Sequence, residues 1–358
     1  MSAVVVRLSR LAMVAASAVS VLTVLAACSS AGTPAPRKTV TVTPPASSAP
    51  VVVSSTSAAP APPEGRPGVV AVTTAGALVK LDPNSGSVVA TLVPGGVLGD
   101  EVSVSPDGST VYFAAGTGCH PKVESVSSDG GSPIAIAPGV LPAISPDGTK
   151  LAFADEPLLK SGCIPSPQNF ASSFKLVVRT LSSGTEKVLP LPPQVAKSGL
   201  PSPISHLSWA SDGVNLAIST SAVQDNEGWG LYLVNTSVAR YYVIPGPGVS
   251  AVPVTGTDAQ RSYIREGVYL PDGNLFISRA CCGGFPVHNT SRLMWEVTPR
   301  GALIHQVAIG FVSEEHISLA ADASGHWLLY LADHDLWVSQ DGNIPTKLAT
   351  GLIAASWM

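Results

Sequence analysis

From Val69 onward, apolar and β-branched residues come in short runs separated by polar turns, and no stretch keeps a helical period. One turn recurs. It reads Ser105-Pro106-Asp107-Gly108, then Ser145-Pro146-Asp147-Gly148, with looser copies at Ala210-Ser211-Asp212-Gly213, Leu270-Pro271-Asp272-Gly273 and Ala321-Asp322-Ala323-Ser324-Gly325. Each copy follows an apolar run. Each precedes a stronger one, such as Val111-Tyr112-Phe113, Leu151-Ala152-Phe153 or Trp327-Leu328-Leu329-Tyr330. Proline presets φ, aspartate caps the turn through its side chain, and glycine takes positive φ, so each copy predicts a hairpin. A hairpin repeated along most of a chain predicts a repeat architecture.

Counting runs between turns gives units of four strands, a to d, with the recurrent turn between a and b. The first unit, Val69–Thr73, Ala77–Leu81 and Ser87–Val93, has only three strands. The last residues, Leu352–Met358, leave one strand over, and Ala355-Ser356-Trp357 repeats the pattern of Leu207-Ser208-Trp209. The leftover strand therefore serves as strand a of the first unit. The expected fold is all-β, with six four-stranded units in a ring closed by the C-terminal strand on the N-terminal blade.

Composition is most informative at the N-terminus. Arg7 and Arg10 precede an apolar Leu11–Val24, too short for a comfortable membrane span, and Leu25-Ala26-Ala27-Cys28 follows. This resembles the lipobox of bacterial lipoproteins. The resemblance implies a signal peptide over 1–27, cleavage before Cys28 and a diacylglyceryl thioether on it. The expected location is the extracytoplasmic face of the cell membrane, with membrane lipid as the partner of the Cys28 anchor. Residues 28–67 are rich in Pro, Ser and Thr and are expected to form a disordered linker, leaving 68–358 as the folded domain. The overall net charge is −4. Setting aside Arg7, Arg10, Arg37, Lys38, Arg66 and Glu64, residues from Gly68 on hold 15 basic and 23 acidic groups, a net charge near −8. That excludes the electrostatic footprint of a nucleic-acid binder.

The turns before aromatic b-strands resemble those of the TolB-type, WD40-like six-bladed β-propellers over about Gly68–Met358. The resemblance implies a binding or scaffold module for a protein or cell-envelope ligand, acting through the face that carries the d–a and b–c connections, here called the top. Counting back from the turn aspartates puts Glu101, Leu141, His206, Glu266 and His316 at the tops of successive a-strands, with Ala354 for the closing strand. Asp100, Arg265 and Glu315 are their neighbours. Glu101, His206, Glu266 and His316 thus form a candidate ring at the channel mouth. Imidazole and carboxylate suit a divalent metal ion such as Zn²⁺, and some six-bladed lactonases and esterases hold an ion there. The alternatives are a solvated polar rim, a ligand or metal site, and a metal-dependent lactonase- or esterase-like hydrolase.

The longest b–c loops are Glu156–Ser173, Ser221–Trp229 and Cys281–Arg292, all on the top face, where binding residues on a rigid scaffold tend to sit. Besides Cys28, the cysteines are Cys119, Cys163, Cys281 and Cys282, and all fall in b–c loops. Four cysteines allow three pairings. Adjacent blades make Cys119–Cys163 natural, which leaves a vicinal Cys281–Cys282 bridge; a redox or metal role for that pair is the alternative. Serine-hydrolase G-x-S-x-G, zincin H-E-x-x-H and P-loop motifs are absent. The sequence also stops at the closing strand, so no catalytic domain of the prolyl-oligopeptidase kind is expected after it. The expected role is therefore that of a non-enzymatic binding module.

Overall fold

The structure is a computed structural model, and it describes residues 65–358 apart from 117–119, 156–174, 191–203, 221–229, 247, 249, 254–263, 280–292 and 309–316. The signal segment, the linker up to residue 64 with Cys28, the other four cysteines, His316 and the three long b–c loops lie outside the described residues.

The strands β1 (Val69–Thr73), β2 (Leu78–Leu81) and β3 (Val88–Val93) open the chain. Blade two is β4 (Val97–Val104), β5 (Thr110–Ala115), β6 (Lys122–Ser127) and β7 (Ile134–Pro138). Blade three is β8 (Val140–Ile144), β9 (Lys150–Asp155), β10 (Lys175–Thr180) and β11 (Glu186–Leu189). Blade four is β12 (Ile204–Trp209), β13 (Asn215–Thr220), β14 (Gly230–Asn235) and β15 (Arg240–Ile244), and it adds a fifth, unexpected strand, β16 (Val252–Pro253). Blade five is β17 (Ile264–Tyr269), β18 (Leu275–Arg279), β19 (Leu293–Val297) and β20 (Leu303–Ala308). Blade six is β21 (Ile317–Ala321), β22 (Trp327–Ala332), β23 (Asp335–Gln340) and β24 (Thr346–Thr350). The last strand, β25 (Leu352–Trp357), pairs antiparallel with β1 and completes blade one in the order β25-β1-β2-β3. The expected six-bladed propeller and its closure are both present.

The b-strands show why the sequence reads as continuous apolar runs there. Val111, Phe113 and Ala114 in β5 and Leu151, Ala152, Phe153 and Ala154 in β9 are all buried, because each b-strand is covered on both faces by neighbouring blades. Fully burying a side chain the size of Phe113 or Phe153 contributes roughly 2–3 kcal/mol. Outer d-strands have no such cover: Val88, Val89, Ala90 and Thr91 of β3 are exposed in succession.

The recurrent turns hold their form through one hydroxyl–carboxylate pair. Ser105 Oγ donates to Asp107 Oδ1 at 2.5 Å and accepts the Thr110 amide at 2.9 Å; Ser145, Asp147 and Lys150 repeat both bonds at the same distances. The serine hydroxyls and the Ser109 and Thr149 amides hold both aspartates down to about 2. Blade six swaps the partners. There Asp322 takes the first place, its Oδ1 accepting the Trp327 amide at 2.8 Å, and Ser324 Oγ donates to Asp322 Oδ2 at 2.5 Å.

Candidate functional site

The a-strands line the channel, and five of the six carry a register shift near their top ends. It falls between Val97 and Val102, Val140 and Ala143, Ile204 and His206, Ile264 and Glu266, and, in β25 against β1, at Val72/Thr73. A bulge inserts unpaired residues and turns the neighbouring side chains off the sheet plane. In blade three the distortion puts Leu141 at φ 56°. The bulges bring Glu101, His206 and Glu266 together inside the mouth, each no more than 7% exposed.

His206 Nδ1 lies 3.3 Å from Glu101 Oε1 and 3.3 Å from Glu266 Oε1. The two carboxylates also cap backbone of other blades. Glu101 Oε2 of blade two accepts the Leu207 amide of blade four at 3.3 Å, and Glu266 Oε1 of blade five accepts the Leu319 amide of blade six at 2.8 Å. Blade three contributes only Leu141 at this level, and Glu101 reaches past it to blade four. Innermost strands have edge amides with no further strand to pair with, so side chains must satisfy them. Four blades are thereby joined through one buried polar cluster.

Burial pushes the His206 imidazole down to about 4, so it is neutral at physiological pH. A neutral ring facing two carboxylates through Nδ1 carries its proton there. Nε2 is then an acceptor, and it is buried with no hydrogen-bond partner among the described residues. Among the described residues no group of three His, Cys, Asp or Glu side chains is arranged to hold a metal ion. His316, the fourth member of the expected ring, lies outside the described residues. The register gives the place equivalent to His206 to Ser318. His206 pairs with Ser219, three positions before Trp209 pairs with Leu216, and Ser318 pairs with Leu331, three before Ala321 pairs with Leu328.

Below the cluster the channel holds a cavity of about 180 Å³. Ser103, Ser208 and Ser356 line it with His206 and Glu101. Two of these serines are interblade clamps that the sequence reading did not single out. Ser103 Oγ accepts the Ile144 amide at 3.0 Å, and Ser208 Oγ accepts the Tyr269 amide at 2.9 Å. Ser219 Oγ takes the Gly267 amide at 3.1 Å, and Trp209 Nε1 donates to Ala143 O at 2.9 Å. Ser103 and Ser208 both stand four residues before a turn aspartate, a spacing visible in the sequence.

No protein-family model matches the chain, and no curated protein does. Solved structures do. TolB from Acinetobacter baumannii superposes with a TM-score of 0.56 at 14% identity, over 82% of this chain and 66% of that one. The fold is a TolB-like β-propeller. This chain thus spans just under two thirds of the TolB chain's length. A chain of the nidogen/laminin complex superposes with a TM-score of 0.51 at 9% identity, over 82% of this chain and 98% of that one. At these identities the likeness carries the architecture alone.

Proposed function

We propose that the protein is a membrane-tethered, extracytoplasmic binding module. Its anchor is the lipid on Cys28, and its top face receives a protein or cell-envelope polymer. The observation that carries this reading is the Glu101–His206–Glu266 cluster: three ionisable side chains buried at one mouth of a rigid ring, above a polar cavity. Burying such groups costs stability that an apolar plug would not, and buried charge at a concave opening is a common mark of a binding site. The TolB-like architecture and the acidic, non-nucleic-acid charge balance agree with it.

Two measurements test it. Cys28→Ser should leave the protein in the soluble extracellular or periplasmic fraction, with no incorporation of labelled fatty acid; unchanged membrane association would defeat the anchor. In pull-downs from detergent-solubilised membranes, Glu101→Gln with Glu266→Gln should lose the partners that the unaltered chain retains. Retention of every partner by that variant would move the binding surface away from the channel mouth.

A further inference from the structure

The inner edges of the a-strands form the channel wall, and their register sets its hydrogen-bonding balance. The bonds from Ser145 N to Lys150 O, Ala210 N to Asn215 O, Leu270 N to Asn274 O and Asp322 N to Trp327 O fix which a-strand residues bond to their b-strands. In an antiparallel ladder the N–H and C=O of one residue point to the same side, and alternate residues point away from the partner strand. Ile144, Leu207, Gly267, Tyr269 and Leu319 fall in the phase that points away, toward the channel.

Each of these five amides is taken by a side chain of another blade. Ser103 accepts that of Ile144, Glu101 that of Leu207, Ser219 that of Gly267, Ser208 that of Tyr269 and Glu266 that of Leu319. Among the described residues the five carbonyl oxygens have no donor of this kind. The caps thus consume donors and leave acceptors facing the channel. Four of the five residues, Ile144, Leu207, Tyr269 and Leu319, line the cavity of about 180 Å³ together with Glu101.

We propose that this cavity binds a small primary alkylammonium ion. Surplus carbonyl oxygens beside a carboxylate match a ligand that is rich in N–H and positively charged, and a primary ammonium supplies three donors. The size also fits. A cavity of about 150 Å³ holds benzene, so 180 Å³ admits an ion of about five or six heavy atoms. Val102 and Val268 in the same wall suit its alkyl stem. This goes beyond the top-face reading: the ion lies under the Glu101–His206–Glu266 cluster, and its binding is measured apart from the membrane anchor and the pull-down partners, so either can fail alone.

The probe is n-butylammonium chloride, titrated at constant ionic strength into the full-length chain in detergent and followed by calorimetry and by the thermal unfolding midpoint. It should bind saturably and raise the midpoint. n-Butanol, which lacks the charge, and tetramethylammonium, which lacks N–H, should each bind at least about tenfold more weakly. Glu101→Gln keeps an oxygen for the Leu207 amide and should weaken binding about tenfold, the effect of one charge-assisted hydrogen bond. Ser356 lines the cavity, and its hydroxyl contacts the adjacent Trp357 carbonyl at 3.5 Å. Ser356→Val narrows the cavity without touching a cap between blades, so it should also weaken binding and keeps the test decisive if Glu101→Gln does not fold. Absence of saturable binding would leave the cavity to water and overturn the proposal. So would equal binding of tetramethylammonium or butanol, or butylammonium binding that either folded variant leaves unchanged.

Discussion

The neutral state of His206 makes a prediction with a definite sign. In the unfolded chain its pKa is the ordinary 6.5, and in the folded chain burial sets it at about 4. A histidine depressed in this way stabilises the fold fully above its unfolded value, and that stability is lost as pH falls toward the folded value. Taking the two values together, the loss is about 2 kcal/mol between pH 8 and pH 5 and about 3 kcal/mol by pH 3. Other groups titrate over this range, so the quantity to read is a difference. Urea unfolding midpoints at pH 8, 7, 6 and 5, in chelator-containing buffer, should be compared between the unaltered chain and His206→Gln. Glutamine cannot titrate and retains an amide N–H for one carboxylate. The advantage of histidine over glutamine should shrink by about 2 kcal/mol on going from pH 8 to pH 5. If instead the two carboxylates 3.3 Å from Nδ1 outweigh burial, the ring is held as imidazolium and its advantage grows on acidification. That outcome, or a flat difference, would refute the neutral tautomer and the open Nε2 that follows from it.

Three further predictions concern the scaffold. Trp357→Ala, in the closing strand and 6% exposed, should cost about 3–5 kcal/mol in chemical unfolding, the range for truncating a buried tryptophan. A cost below about 1 kcal/mol would mean that the β25–β1 pairing does little to hold the ring shut. Gly86→Ala should destabilise by more than about 2 kcal/mol, because Gly86 sits at φ 69° and an added Cβ would meet the Leu348 carbonyl oxygen of blade six, which is backbone and cannot swing aside. Thermal melting decides this, and a wild-type midpoint would contradict the contact between blades one and six. Ser145→Ala should raise the Asp147 pKa from about 2 toward 3.8, read by carboxyl NMR titration. A carboxylate depressed in the fold contributes stability above its unfolded value that disappears as pH falls toward 2, so the variant should tolerate less acid.

How much of this was legible depended on how local the signal was. The turns are local: Pro, Asp and Gly act within four residues, so the repeat and its phase could be read directly, and closure followed from Ser356-Trp357 matching Ser208-Trp209. Glu101, His206 and Glu266 were also reachable, because each stands six residues before a turn aspartate. Blade six escaped because chemistry and position came apart. Asp322 does the work of Ser105, and Ser324 that of Asp107, so counting from the aspartate lands on His316, whereas the register gives the equivalent place to Ser318. The reach of Glu101 past blade three to the Leu207 amide was not legible, since it depends on where bulges fall in separate strands. Nor was β16: two residues ending in proline carry no strand signature of their own.

The pairing of β1 with β25 also governs how the ring comes into being. Every other blade is assembled from neighbours in sequence and gains its contacts soon after its strands exist. Blade one waits for two segments from opposite ends of the described chain to meet, the slowest kind of encounter in a folding chain. Until they do, the inner flank of β1, Val69 to Val72, is an apolar strand with an open ladder, the kind of surface that captures other chains. The same feature that makes the finished ring hard to unzip therefore makes the interval before closure its most vulnerable stage.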